Sequence, residues 1–316
     1  MKTENFYHQP VLKEEVCDLL ITDKSGCYID CTLGGGGHFR SLAEKLSSNA
    51  VLIGIDRDMD AIKWNKMTMI SDGPSIIIEQ SRFSQFDDVL EKHNISGLNG
   101  ALLDLGVSSF QIDTESRGFT YMKGSALDMR MNTSEGISAS ELLEQSSEEQ
   151  LSSILSEYGE VHNAVRMARA IKSCKNIKTS SDLRSCLTQE YGPNLQIKVV
   201  AKVFQALRIA VNDELGELKR FLEKITGYLL SSGRLAVIAY HSLEDRMVKD
   251  FIREQEQGCV CPIDLPYCIC EKQVMLKRIT RKATRASVAE IKSNPRSRSA
   301  RLRVAERTEA INEKKK

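Results

Sequence analysis

Apolar positions in the first hundred residues fall into short runs separated by amphipathic stretches. Cys27–Leu33 is a compact apolar run ending in four consecutive glycines, and a helical pattern follows from His38 to Leu46. A second run, Ala50–Asp56, precedes a predicted helix over Asp60–Met69. The β-branched segment Ser75–Glu79 reads as a strand, Phe86–His93 as a helix and Gly100–Gly106 as a fourth strand. Strand–helix alternation at this spacing predicts a parallel sheet with helices on both faces. Such sheets bind ligands at the carboxyl ends of their strands.

From about Asp113 to Asp213 the strand pattern stops. Amphipathic helices are predicted instead, the first over Ala139–Leu155, where Leu142, Leu143, Leu151, Ile154 and Leu155 keep a helical period. Others cover Val161–Lys172, Ser181–Glu190 behind a Ser/Asp cap, and Val199–Val211. Alternation resumes with a helix at Glu214–Leu230, a strand at Arg234–Tyr240 and a helix at Glu244–Glu256. The economical organisation is an α/β domain made of 1–112 and 214–316, interrupted by an inserted helical domain over 113–213. No internal repeat is visible.

Composition narrows the class without naming it. With 41% hydrophobic and 28% charged residues the chain has the make-up of a soluble globular protein. Its first ten residues are polar, unlike a signal peptide. Nowhere do about 18 apolar residues run together, so a cytoplasmic location without a membrane span is expected. Nine cysteines, five of them scattered through predicted helices and strands, suit reduced thiols better than a disulfide framework. The net charge of +1 conceals an asymmetry, because Lys272–Arg307 carries twelve Lys/Arg against Glu290 and Glu306. That leaves +10 on this segment and −9 on the rest. The segment also holds spaced apolar residues (Val274, Leu276, Ile279; Leu302, Val304), so it reads as basic strands on a folded edge and a candidate phosphate-binding surface.

Candidate chemistry centres on Asp30-Cys31-Thr32-Leu33-Gly34-Gly35-Gly36-Gly37-His38, between the first strand and a helix. Glycines let the backbone turn sharply and approach a ligand closely, and the helix start offers unpaired N–H groups to an anion. Twenty residues after Gly36, Asp56 ends the second strand, where a carboxylate can accept hydrogen bonds from both ribose hydroxyls. This much fits either NAD or S-adenosylmethionine (SAM). Phe39 stands where the dinucleotide fingerprint requires its third glycine, which weakens the NAD reading. Phe83, just past the third strand, suits an adenine ring and equally an ordinary core. Asp104 ends the fourth strand, where an unpaired buried carboxylate is expensive without a functional reason.

The chain resembles a known family at Gly36-Gly37-His38, Asp56-Arg57-Asp58, Leu102–Ser109, Arg117-Gly118-Phe119 and Leu127-Asp128-Met129-Arg130-Met131. Matching runs continue at Phe204–Ile209, His241-Ser242-Leu243-Glu244-Asp245-Arg246, Asn294–Ser299 and Arg303-Val304-Ala305-Glu306-Arg307. In this order they are similar to the bacterial MraW/RsmH family of 16S ribosomal RNA cytosine-N4 methyltransferases, and the resemblance covers nearly the whole chain. It implies a class I SAM-dependent methyltransferase domain, Rossmann-like with a mostly parallel sheet, carrying an inserted α-helical domain that recognises RNA. It also implies SAM as methyl donor and a cytosine in the decoding region of the small-subunit RNA as acceptor. The SAM contacts implied are Gly36, Gly37, His38, Asp56, Phe83, Asp104 and Gln111, the last from the resemblance alone.

The amine of cytosine is a weak nucleophile, so an acceptor group near N4 would help by stabilising the charge that develops there. Asp104 is one candidate for that role. The Asp/Ser-Pro-Pro-aromatic signature of many amino-methyltransferases is absent after the fourth strand, which disfavours a DNA amino-methyltransferase. A non-catalytic RNA-binding assembly factor is a further alternative, disfavoured by the intact glycine loop and Asp56. His241 precedes a helix that Ser242 and Asp245 would cap, and it is the candidate to touch substrate. Arg166, Arg169 and Lys172, with Arg117 and Arg130, are candidate phosphate contacts, although a solvated charged face is the commoner meaning of such a stripe. No metal is assigned to the chemistry. Cys259, Cys261, Cys268 and Cys270 fit a four-thiolate zinc site and reduced loop thiols about equally. The oligomeric state is not legible.

Overall fold

The computed structural model describes residues 10–69, 72–120, 124–192, 196–259, 261, 269–270 and 272–311. The chain divides into two compact units, Met1–Gly106 with Glu217–Lys316, and Val107–Gly216. In chain order the first unit begins α1 (Lys13–Leu20), β1 (Cys27–Asp30), α2 (Gly37–Lys45), β2 (Val51–Asp56), α3 (Met59–Thr68), β3 (Ser75–Gln80), α4 (Phe86–Lys92) and β4 (Leu98–Asp104). The second unit holds α5 (Ser109–Asp113), α6 (Ala139–Gln145), α7 (Glu148–Glu157), α8 (Ala164–Ser173), α9 (Ser180–Tyr191) and α10 (Ile197–Asn212). Helix α11 (Glu214–Tyr228) leads back into the first unit, which finishes with β5 (Leu229–Ala239), α12 (Ser242–Glu256), β6 (Val274–Arg278), α13 (Val288–Ser293) and β7 (Arg301–Ile311).

The seven strands form one sheet in the order β3-β2-β1-β4-β5-β7-β6. Strands β1 to β5 pair in parallel, while β7 runs antiparallel to both β5 and β6. This is the class I methyltransferase arrangement that the resemblance implies. Side chains that alternate along each strand enter two separate cores. Tyr28, Leu52, Leu102 and Ile238 pack with Phe39 and Leu42 on one face. Ile29, Ile53, Leu103 and Val237 pack with Phe86, Phe221 and Ile225 on the other. With both faces apolar, polar groups are left to the strand ends. No helix among the described residues is long and apolar enough to cross a membrane.

The second unit is helical around its own core of Leu143, Leu151, Met167, Leu183, Val203 and Leu207 among others. The single helix expected over Ala139–Leu155 is two, because two successive capping boxes, Ser138 with Glu141 and Ser147 with Gln150, start separate helices around Ser146. The cap expected from Ser181 is likewise supplied by Thr179, which pairs with Asp182. Buried Arg117 donates to the carbonyls of Arg130 and Met131. Gly118 has φ +72°, and a Cβ there would lie 2.1 Å from the Ala126 carbonyl oxygen, so this chain crossing requires glycine. Cys174, at the end of α8, and Cys186 in α9 are joined by a disulfide, a departure from the all-thiol expectation. Their Cα atoms are 6.1 Å apart because both helices pack on the same core.

One buried acid fastens α11 to the first unit. Glu217, with a side chain 4% exposed, accepts from the hydroxyl of Ser84 and from Arg82 (3.1 Å) and Arg220 (2.7 Å). Burial pushes its carboxyl up, but the Ser84, Arg220 and Arg82 hydrogen bonds outweigh burial and hold it below the usual range. A depressed folded value contributes stability above the unfolded value, and that stability is lost as pH falls through the folded value. Glu217→Ala is expected to cost about 2 kcal/mol at neutral pH, read as a lower urea midpoint at unchanged slope. The deficit should shrink below about pH 4.

Candidate active site

The sheet order reverses between β1 and β4, which opens a crevice at their carboxyl ends. Asp30 closes β1, Asp56 closes β2 and Asp104 closes β4. The glycine turn after β1 is pinned from two sides. Asp56 Oδ2 accepts the Gly34 N–H at 2.7 Å, and its Oδ1 accepts the Asp58 N–H at 2.8 Å. From α3, Asn65 Nδ2 donates to the Gly34 carbonyl at 2.8 Å. Arg40 reaches the Gly35 carbonyl at 2.6 Å and Thr68 Oγ1 at 2.7 Å. Gly36 has φ +77°, and a Cβ there would stand 2.0 Å from Asn65 Oδ1. Helix α2 then starts without a side-chain cap, leaving its first N–H groups for an anion.

His38 lies in the first turn of that helix and is 5% exposed. Neither ring nitrogen completes a hydrogen bond among the described residues, and Nε2 stands 3.5 Å from Asp104 Oδ2. Burial favours the neutral ring, but the Asp104 and Asp30 carboxylates outweigh it and hold the imidazole above its usual pKa. Asp104 Oδ1 accepts the Tyr240 hydroxyl at 2.8 Å, and the Asp104 N–H donates to Thr32 Oγ1 at 2.6 Å. Burial lifts Asp30 to about 7 and Asp56 to about 6, because each charged form is desolvated. The Tyr240 hydroxyl is pushed well up by burial and then by Asp104. These groups surround a half-buried carboxylate that keeps lone pairs to spare.

The structure brings Gly36, Gly37, His38, Asp56 and Asp104 together around β1 and its neighbours. Phe83 is half-buried in the turn after β3, its ring edge-on to Phe221 at 6.0 Å between centroids, so one side of it belongs to the core. Gln111 lies in the second unit, where it completes a capping box with Ser108. His241, the residue expected to touch substrate, also takes part in a helix cap. It caps α12 itself, one residue before the expected Ser242, with Nδ1 accepting the Glu244 N–H at 3.4 Å. Its Nε2 is 3.1 Å from Glu244 Oε1, and its side chain is 8% exposed. A buried ring held by its own helix start is placed to position the end of β5. Tyr240, Asn65 and Arg40 do not stand out as site residues in the sequence, whereas Asp30 and Thr32 lie in the run that opens the glycine loop, without an individual role assigned there.

Several of the basic residues have partners within the protein. Arg166 pairs with Glu190 at 3.0 Å, Arg169 pairs with Glu148 at 3.1 Å, and Lys172 donates to the carbonyls of Leu143 and Glu144. Arg130 pairs with Asp128 at 2.8 Å. In the first unit β7 lies inside the sheet, between β5 and β6, so the basic strands are not both at an edge. Arg301 and Arg303 converge on Asp245 at 3.0 and 2.7 Å. Arg281, Lys282, Arg285, Lys292 and Arg298 are exposed, and among the described residues they have no acidic partner.

Comparison with known proteins agrees with this geometry. The profile of the MraW methylase family matches residues 5–308. A ribosomal RNA small subunit methyltransferase H from Caldicellulosiruptor bescii is 44% identical, covering 96% of this chain and 99% of the relative. Its counterpart from Heliobacterium mobile is 43% identical, covering 96% and 99%. Among solved structures, an rRNA methylase from Streptococcus thermophilus aligns over 94% of each chain at 10% identity and a TM-score of 0.40, a likeness too slight to carry an argument. Spanned almost end to end by the family profile and by relatives of this identity, the chain belongs to the MraW methylase family.

Proposed function

We propose that this chain transfers a methyl group from SAM to the exocyclic N4 of a cytosine in the decoding region of 16S ribosomal RNA, acting in the cytoplasm on the small ribosomal subunit. Membership of the MraW methylase family gives the reaction class, and relatives named for the ribosomal RNA of the small subunit supply the substrate class. The observation that carries the reading is the Asp104 carboxylate at the reversal point, beside a glycine cradle and a buried imidazole that completes no hydrogen bond among the described residues.

The residues present fit the methyl donor. Gly36, Gly37 and His38 at the start of α2 would hold its carboxylate, Asp56 its ribose hydroxyls and Phe83 its adenine. Gln111 joins this set through the resemblance alone. When bound, SAM supplies an electrophilic methyl group on a cationic sulfonium. Asp104 is the group placed to accept an N–H of the cytosine amine, which concentrates electron density on N4. The Tyr240 hydroxyl, 2.8 Å from Asp104 Oδ1, fixes that carboxylate's direction. His241 acts as a positioning residue, since its cap with Glu244 also places the Tyr240 N–H on Glu244 Oε2 at 3.0 Å. The cytosine must be unpaired or flipped out, because base pairing occupies N4. The helical insertion, 113–213, is assigned to RNA recognition. The exposed cations from Arg281 to Arg298 are assigned to phosphate contacts, which make RNA affinity fall with salt.

Labelled methyl transfer from SAM to small subunits from cells lacking this gene should yield N4-methylated cytidine. No label on subunits or naked 16S RNA, with SAM binding confirmed, would refute the substrate. Asp104→Asn is expected to lower kcat by about 100-fold or more while SAM still binds by calorimetry. Full turnover of that variant at saturating SAM would remove the residue from the mechanism.

The free-protein Asp56 value of about 6 sets a further expectation. Its ionised form accepts the ribose hydroxyls, so SAM affinity should level off above that pH and weaken below it, by at most about tenfold per pH unit. Asp56→Asn should abolish that part of the profile. A wild-type profile that stays flat between about pH 5 and about pH 8 would contradict the role.

A further inference from the structure

Between α12 and β6 the chain carries a cysteine tract that the methyl-transfer site does not use. The Sγ atoms of Cys259, Cys261 and Cys270 all lie within 4.8 Å of one another, although Cys259 and Cys270 are eleven residues apart. Burial does not explain this convergence. All three are half-buried, and no described residue from 257 to 270 enters either apolar core of the first unit. Nor is it a disulfide, since the Cys259 and Cys270 sulfurs are 3.8 Å apart while bonded sulfurs lie at about 2.05 Å. The Cys259–Cys270 separation matches the edge of a tetrahedron, about 3.8 Å, for thiolates bound to zinc at about 2.3 Å. The Ile269 N–H donates to Cys261 Sγ at 3.3 Å, a bond that favours sulfur as a charged acceptor and recurs around metal-bound thiolates.

We propose that Cys259, Cys261 and Cys270 are ligands of a structural zinc ion that closes this connection. Cys268, the remaining cysteine of the tract, lies outside the described residues, and the proposal rests on the other three. Zinc displaces the thiol protons, which pass to solvent, so binding strengthens as pH rises. A soft, three-thiolate set selects zinc over magnesium or calcium. The ion supplies a closure that apolar burial of the described residues does not supply here, and its ligands are not those of the methyl-transfer site.

The test uses the untagged full chain, purified in reductant without chelator and with zinc supplied. Elemental analysis should find about one zinc per chain, with a cobalt-exchanged sample showing sulfur-to-metal charge transfer and tetrahedral visible bands. A Cys259→Ser/Cys261→Ser double variant should lose the metal, while Cys27→Ser keeps it. Should the double variant not fold, mercurial titration of the wild type decides, with zinc release expected in step with thiol modification. Three results would overturn the proposal. They are absence of stoichiometric zinc, a cobalt spectrum without sulfur bands, or equal zinc in the wild type and a folded double variant.

Discussion

The Asp56 carboxylate accepts the backbone N–H groups of Gly34 and Asp58, and the turn between β1 and α2 depends on those two bonds. The first holds the glycine loop against the end of β2. The second sets Asp58, whose own carboxylate caps α3 by accepting from the Asp60 N–H at 3.1 Å. Helix α3 then returns Asn65 to the Gly34 carbonyl, so the circuit of strand, loop and helix closes on itself. Desolvation works against this arrangement and keeps the Asp56 pKa near 6. The two amides limit that cost by stabilising the ionised form. A carboxylate retained under such tension reflects the trade-off between stability and function.

Much of this organisation is legible in the sequence because strands buried on both faces leave compact apolar runs. Those runs end at Asp30, Asp56 and Asp104, where the sheet stops and polarity returns. What is not legible depends on contacts between distant residues. Arg301 and Arg303 look like free positive charge until Asp245, more than fifty positions earlier, is seen between them. Tyr240 reads as the last apolar residue of a strand, and only the Asp104 contact marks it otherwise. Two helix caps, Thr179 and His241, stand one or two residues before the positions that the sequence suggests. Adjacent hydroxyl, imidazole and acidic side chains compete for the cap there, and backbone geometry rather than composition decides. Gln111 has no signal in periodicity or spacing and enters through the family resemblance alone.

The second unit uses its polar residues differently. Arg130, Arg166 and Arg169 face carboxylates, and its helices are delimited largely by reciprocal caps rather than by glycine or proline. Arg117 and Asn212 satisfy backbone groups around the Leu127–Met131 run, with Asn212 Nδ2 donating to the Met129 carbonyl and its Oδ1 accepting from the Met131 N–H. That run is irregular backbone over a helical core, and buried irregular backbone needs such partners. Arg117 and Arg130 there are structural ties, and the exposed cations between β6 and β7 differ from them in having no acidic partner among the described residues.

The sheet's connectivity also bears on how the protein is made. Strand β4 ends at Asp104, but its neighbour β5 begins at Leu229, after the whole helical unit. The Leu12 N–H is satisfied by Glu290, 278 positions later. During synthesis, therefore, the β4 edge stays open and apolar while more than a hundred residues emerge. An unpaired hydrophobic edge held open that long is a site for wrong partners. The insertion thus exposes the nascent chain to misassembly, a hazard that grows with the time taken to translate it.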